Sequence, residues 1–186
     1  MVNIFWNEDI IFKNVQISGN ILGDDTLHLT KSKGLILNSK ISNCNNDCID
    51  FDYSNYIVEN LECRNSGNDG IDSMESTLYL KNVTISENLD KSISNGEASE
   101  IFLDNVKILN SNIGIAAKDQ SITHLNNVLI KNTSIGIDIY RKNLRYKDSG
   151  KVFSKSIFFD KNKVDISTDN ISKINFDLSN YKVIKK

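Results

Sequence analysis

The sequence predicts an all-β solenoid: a right-handed, single-stranded parallel β-helix of about seven coils of roughly 22 residues. Three observations predict it. A branched aliphatic residue recurs every 22 positions, at Ile49, Ile71, Ile93, Ile115 and Ile137, with Leu27 in the same phase. Short apolar patches alternating with period two fill each interval, as strands require. Proline is absent, so every residue can donate to a backbone ladder.

Each coil reads as three short strands. The first carries the anchor, within Asn46-Asp-Cys-Ile-Asp50, Asn68-Asp-Gly-Ile-Asp72, Asp90-Lys-Ser-Ile-Ser94, Asn112-Ile-Gly-Ile-Ala116 and Ser134-Ile-Gly-Ile-Asp138. A small residue precedes each anchor, which suits a close backbone approach into the strand. The second strand reads Leu35-Ile-Leu, Tyr56-Ile-Val, Leu78-Tyr-Leu, Ile101-Phe-Leu and Ile122-Thr-His-Leu. The third reads Val83-Thr-Ile, Val106-Lys-Ile and Val128-Leu-Ile. Asn60, Asn82, Asn105 and Asn127 mark the joint before it, where Asn tolerates turn geometry and can hydrogen-bond along the stack. The step from Asn82 to Asn105 is 23, so one residue is inserted near Gly96 and one is deleted after Ile108. A leucine-rich repeat shares the period but needs a Leu-x-x-Leu-x-Leu pattern that these coils do not sustain.

Residues 1–186 are expected to form one domain, with 1–9 and 170–186 covering the solenoid ends. Arg141 to Gly150 breaks the phase and reads as a projecting loop. Hydrophobic residues at 39% and charged residues at 25% fit a folded domain. A net charge of -2 gives no footprint for nucleic acid, and no apolar run is long enough to span a membrane. The first residues do not read as a signal peptide. A domain of a larger secreted or surface protein, associated with further domains, would fit the same sequence. Cys44, Cys48 and Cys63 are an odd set, expected as small core or ladder residues rather than a disulfide framework or a zinc site.

Aligning the coils on the anchor exposes a polar stripe. The residue after it is Asp50, Asp72, Ser94, Ala116, Asp138, and should face outward. His28 follows Leu27 in the same phase. The charged members crowd one edge: Asp47, Asp50, Asp52, Asp69, Asp72, Asp90, Lys91, Glu97, Lys118 and Asp119. Like charges on neighbouring coils, about 5 Å apart, repel unless lysine, a cation or protonation compensates. Three readings stay open: a solvated face, a carbohydrate groove, and a calcium site using oxygens such as those of Asp50 and Asp72. No cofactor is otherwise required.

The motifs Asn68-Asp-Gly-Ile-Asp72, Asp90-Lys-Ser-Ile-Ser94 and Gly114-Ile-Ala-Ala-Lys-Asp119 resemble those of bacterial β-helix repeat proteins, within the pectate-lyase-like group of right-handed parallel β-helices. The resemblance covers about residues 10–170. It implies a site on the outer face of the coils and a polysaccharide partner, since the wider group includes polysaccharide lyases, hydrolases, epimerases and phage tailspikes. A lyase or epimerase would need a base, a carboxylate neutraliser and an acid. Lys91 or Lys118 would supply the first two, Tyr140 the acid, and Asp69 or Asp72 would hold a cation. A hydrolase would pair Asp50 with Asp72, or Asp69 with Asp90. Asp50, Asp90, Glu97, Asp119 and Tyr140 would then contact sugar. No Arg lies beside the stripe before Arg141, which counts against a lyase. The competing expectation is a non-catalytic structural or surface-associated scaffold. A groove over residues 46–119 would separate the two.

Overall fold

Parallel strands without a single helix build the chain in the computed structural model, which describes all 186 residues. They form two sheets that wind as one solenoid of about eight turns. The first sheet has nine strands in the order Val2–Phe5, Leu27–Thr30, Ile49–Asp52, Ile71–Met74, Lys91–Gly96, Ile113–Lys118, Ile135–Tyr140, Val164–Thr168 and Val183–Lys185. The second has ten, among them the long strands Lys33–Cys44, Asn55–Ser66, Thr77–Ser86, Glu100–Leu109 and Ile122–Lys131. The turn beyond the seven expected arises because Val2–Phe5 is itself a strand, paired with Leu27–Thr30. Lys173–Asn175 and Val183–Lys185 extend the two sheets at the other end.

The anchors explain the stack. Leu27, Ile49, Ile71, Ile93, Ile115 and Ile137 are directly paired in register and fully buried. Ile166 continues the row after the interruption at 141–150. In the five coils whose long strands run from Lys33–Cys44 to Ile122–Lys131, the second and third strands are one continuous strand with an Asn kink inside it, whereas Ile10–Lys13 and Gln16–Asn20, and Lys151–Ser154 and Ile157–Asp160, stay separate. Asn38, Asn60, Asn82, Asn105 and Asn127 all sit at φ between 49° and 55°, where Asn is better tolerated than a branched residue. Each amide from Asn60 onward donates its Nδ2 to the Oδ1 one coil earlier, at 2.8, 3.2, 2.7 and 3.1 Å.

The slip is also resolved. Thr77 pairs Glu100, a step of 23, while Ile71 pairs Ile93 at 22. The extra residue lies in the turn Glu97-Ala98, both at positive φ, and the corner Asn110–Asn112 is shorter by one. At the opposite corners, buried Ser54, Ser76 and Ser99 stack, each hydroxyl accepting the backbone N–H of the serine one coil earlier: Ser32, Ser54 and Ser76, at 3.1, 2.9 and 3.0 Å.

The cysteines correct one expectation. Cys44 and Cys48 are joined in a disulfide, their Cα atoms 5.2 Å apart across the corner before Ile49. An odd count excludes only complete pairing, and a tight corner brings residues four apart within reach. Cys63 is buried and free, and burial raises its thiol to about 12.

Candidate functional site

The outer face of the first sheet gathers the charged residues because alternation turns every second side chain away from the anchors. His28, Asp50, Asp72 and Ser94 are successive register partners, as are Thr30, Asp52, Met74 and Gly96. Coils one to three are acidic. Asp25, Asp47, Asp50, Asp52, Asp69 and Asp72 all lie there, and burial is the chief force on the carboxyls of Asp25, Asp47, Asp50 and Asp69. Burial, reinforced by Asp52 and Asp72, lifts Asp50 to about 9. Asp47 rises to about 7 and Asp25 to about 6, again mainly by burial. Asp69 also rises, although Lys91 opposes the shift.

Lys91 answers part of this charge. Its Nζ lies 3.3 Å from Asp69 Oδ1 and contacts Asp90 closely. Burial alone would lower it, but the hydrogen bond to Asp90 and the charge of Asp69 raise it. Such a lysine is a fixed cation rather than a base.

Lys118 is different. It is 4% exposed, and its Nζ donates to Ser94 Oγ at 2.7 Å. It packs over Gly96, where an added Cβ would come within 3.0 Å of its Cε. Glu97 stands near enough for the lysine to oppose the upward, burial-driven shift of its carboxyl. Asp119 is fully buried, and its Oδ1 accepts the backbone N–H groups of Lys142 and Asn143 at 2.7 and 2.8 Å. The 141–150 segment, which carries no strand, is thereby fastened beside this end of the stripe. Tyr140 follows Lys118 in register, and burial raises its hydroxyl to about 12. Lys186 caps the far side, 2.7 Å from Asp138 and 4.7 Å from the Tyr140 ring centre.

The stripe therefore splits into parts. Asp69, Lys91 and Asp90 form one ion-paired group. Lys118, Glu97, Asp119 and Tyr140 cluster one or two coils further on. Asp50 and Asp72 are register partners, yet each closes with different neighbours: Asp50 with Asp25 and His28, Asp72 with Asp47 and Asp69, the ligand atoms of each trio within 4.8 Å.

Sequence reasoning missed Asp25, although it lies two before Leu27 in the column of Asp47 and Asp69. It also missed a row on the second sheet. Tyr79, Phe102, His124 and Phe153 stack with nearly parallel ring planes, ring centres 4.6, 4.4 and 5.4 Å apart. A cleft of about 440 Å³ opens beside Phe102, His124 and Phe153, flanked by Asp104, Asn126 and Lys155. A larger one, about 600 Å³, follows the Asn joint.

The family model for the right handed beta helix region matches residues 25–180. No curated protein matches the chain. Among solved structures, the chain is similar at 13% identity and a TM-score of 0.36 to the catalytic domain of a GH87 alpha-1,3-glucanase in complex with tetrasaccharides. The match covers 98% of this chain and 49% of that one, so this chain spans about half its length. No helix is long and apolar enough to cross a membrane.

Proposed function

The chain belongs to the right-handed beta helix family, and from that footing we propose that it binds an acidic polysaccharide along the outer face of its first sheet, with Lys118 receiving a sugar carboxylate. The observation that carries this reading is the environment of that lysine. It is almost wholly buried, takes part in no ion pair, and has one hydrogen-bond acceptor, the Ser94 hydroxyl. An ammonium carries three donors, and a buried one short of acceptors costs stability. A carboxylate or hydroxyl of a sugar would satisfy the remainder. Asp119 would act by holding the 141–150 segment, and Glu97, Asp90 and Tyr140 would offer acceptors and a ring at the margins. Lys91, Asp69 and Asp72 would lie under the next sugar unit, with Lys91 neutralising charge rather than abstracting a proton.

Calcium belongs to the same reading. Asp47, Asp69 and Asp72 converge with oxygens alone, and Asp50 is in register beside Asp72. Hard oxygen ligands suit that ion, which would bridge protein and sugar carboxylates. The test is affinity for polygalacturonate, alginate and a neutral glucan, with and without calcium, in wild type and Lys118→Met. Tighter binding of the acidic polymers, weakened about tenfold by the substitution (about 1.4 kcal/mol), is expected. Equal binding by the variant, or no binding of any acidic polymer by wild type, overturns the proposal.

A second reading, a non-catalytic scaffold, draws on one observation. The clefts of about 600 and 440 Å³ lie on the second sheet and its joint, not over the charged stripe.

A further inference from the structure

We propose that Asp25, His28 and Asp50 form a binding site for a borderline divalent cation of the zinc type, separate from the oxygen-only cluster of Asp47, Asp69 and Asp72. The site is built by two successive coils: His28 and Asp50 are register partners on the first sheet, and Asp25 enters from the corner just before Leu27. One ligand atom from each of the three lies within 4.8 Å of the others, a spread that an ion bound at about 2.0–2.2 Å from each ligand can close with small side-chain movements.

Acidic crowding alone would not make this a site. The second observation is Asp25 itself. Its residue is 9% exposed, yet its carboxylate accepts no hydrogen bond and joins no ion pair. Buried carboxylates are ordinarily hydrogen-bonded or paired; this one points at an imidazole and another carboxylate. The neighbouring trio lacks that property. Asp47 Oδ1 accepts from Asn68 Nδ2 and the Asp69 N–H at 2.7 and 2.8 Å, and Asp69 accepts from the backbone and side chain of Lys91.

The ligand set selects the ion. Imidazole nitrogen suits zinc, cobalt and related ions, whereas calcium takes oxygen. His28 Nε2 faces Asp50 Oδ2 at 3.4 Å, Asp52 Oδ2 at 3.0 Å and Thr30 Oγ1 at 2.9 Å, so a cation bound at this nitrogen would take the place of its proton among the same oxygens. Phe5, from the first strand, packs edge-on against the same ring, with ring centres 5.8 Å apart. The inference does not depend on the polysaccharide reading, which rests on Lys118 three coils away.

The experiment is calorimetric titration of the chelator-treated full chain with zinc chloride and, separately, calcium chloride, together with the visible spectrum on adding cobalt(II). One zinc per chain is expected, with cobalt ligand-field bands. Asp25→Asn and His28→Gln should each weaken zinc at least about tenfold, the scale of losing one ligand interaction, and His28→Gln should abolish the bands. Asp72→Asn should leave zinc affinity within about twofold. Asp25→Asn is nearly isosteric, and thermal unfolding of each variant verifies that it is folded. Absence of stoichiometric zinc binding by wild type overturns the proposal. So does zinc affinity untouched by Asp25→Asn, or zinc affinity lost in Asp72→Asn instead.

Discussion

Asp50 is surrounded by Asp52, Asp72, Asp25 and Asp47, and burial removes most of the water that would screen them. The result has a sign that a titration can read. Unfolded, these carboxyls ionise near 3.9. Folded, Asp25, Asp47 and Asp50 hold their protons to about 6, 7 and 9. Between those limits the native chain binds more protons than the unfolded one, so its stability is greatest at the acid end and declines as pH rises through each folded value. For metal-free protein, the thermal midpoint should fall between about pH 5 and 9. Asp50→Asn should remove the decline nearest pH 9 and raise the midpoint there. A wild-type midpoint that climbs with pH over that range would contradict the assignment. The columns of this stripe were legible from the anchor phase alone, and carrying the same rule one coil earlier lands on Asp25. What the sequence could not convey was depth. Alternation tells which way Asp50 faces, but not that neighbouring coils bury it.

Neighbouring coils are stapled at the serine corner and at the Asn joint, and the Asn joint is the longer of the two ladders. Asn82 donates to Asn60 and accepts from Asn105 while its backbone holds φ at 55°. Replacing it by Ala removes two ladder hydrogen bonds and puts a Cβ residue without local polar compensation in the left-handed region. A loss of about 2–3 kcal/mol is expected in urea unfolding. Asn82→Gly should cost less, because glycine takes that φ freely. Equal losses in the two variants would mean that the backbone plays no part. The joint was readable because Asn recurs with the coil. The aromatic row was not: Tyr79 to Phe102 crosses the 23-residue step, and His124 to Phe153 crosses the 141–150 segment, so no constant spacing betrays it. The Cys44–Cys48 bond was hidden for another reason, since parity of the cysteine count says nothing about a pair closing its own corner.

Taken whole, the chain is a row of coils that touch only their neighbours. Pairing in both sheets runs strictly from one coil to the next, so stability should behave as a sum of coil and interface contributions. Hydrogen exchange should therefore show the central coils, residues 49–140, opening last, with amides of Val2–Phe5 and Val183–Lys185 exchanging first. Uniform protection from end to end would mean that the solenoid unfolds as one block. This architecture was the most legible property of the sequence, since a constant phase is an imprint of translation along one axis. The number of turns was less so, because Val2–Phe5 lies ahead of the first anchor and carries no repeat motif.

The asparagine joint also has a direction. Every side-chain amide from Asn127 back to Asn60 donates toward the preceding coil. The amide dipoles therefore add head to tail instead of cancelling, and each polarises the next. At the early end Asn38 accepts the bond from Asn60, and at the later end Asn127 donates to Asn105. The joint is thus an aligned column of side-chain dipoles, positive toward the beginning of the chain, laid along a fold whose sheets have little net dipole of their own.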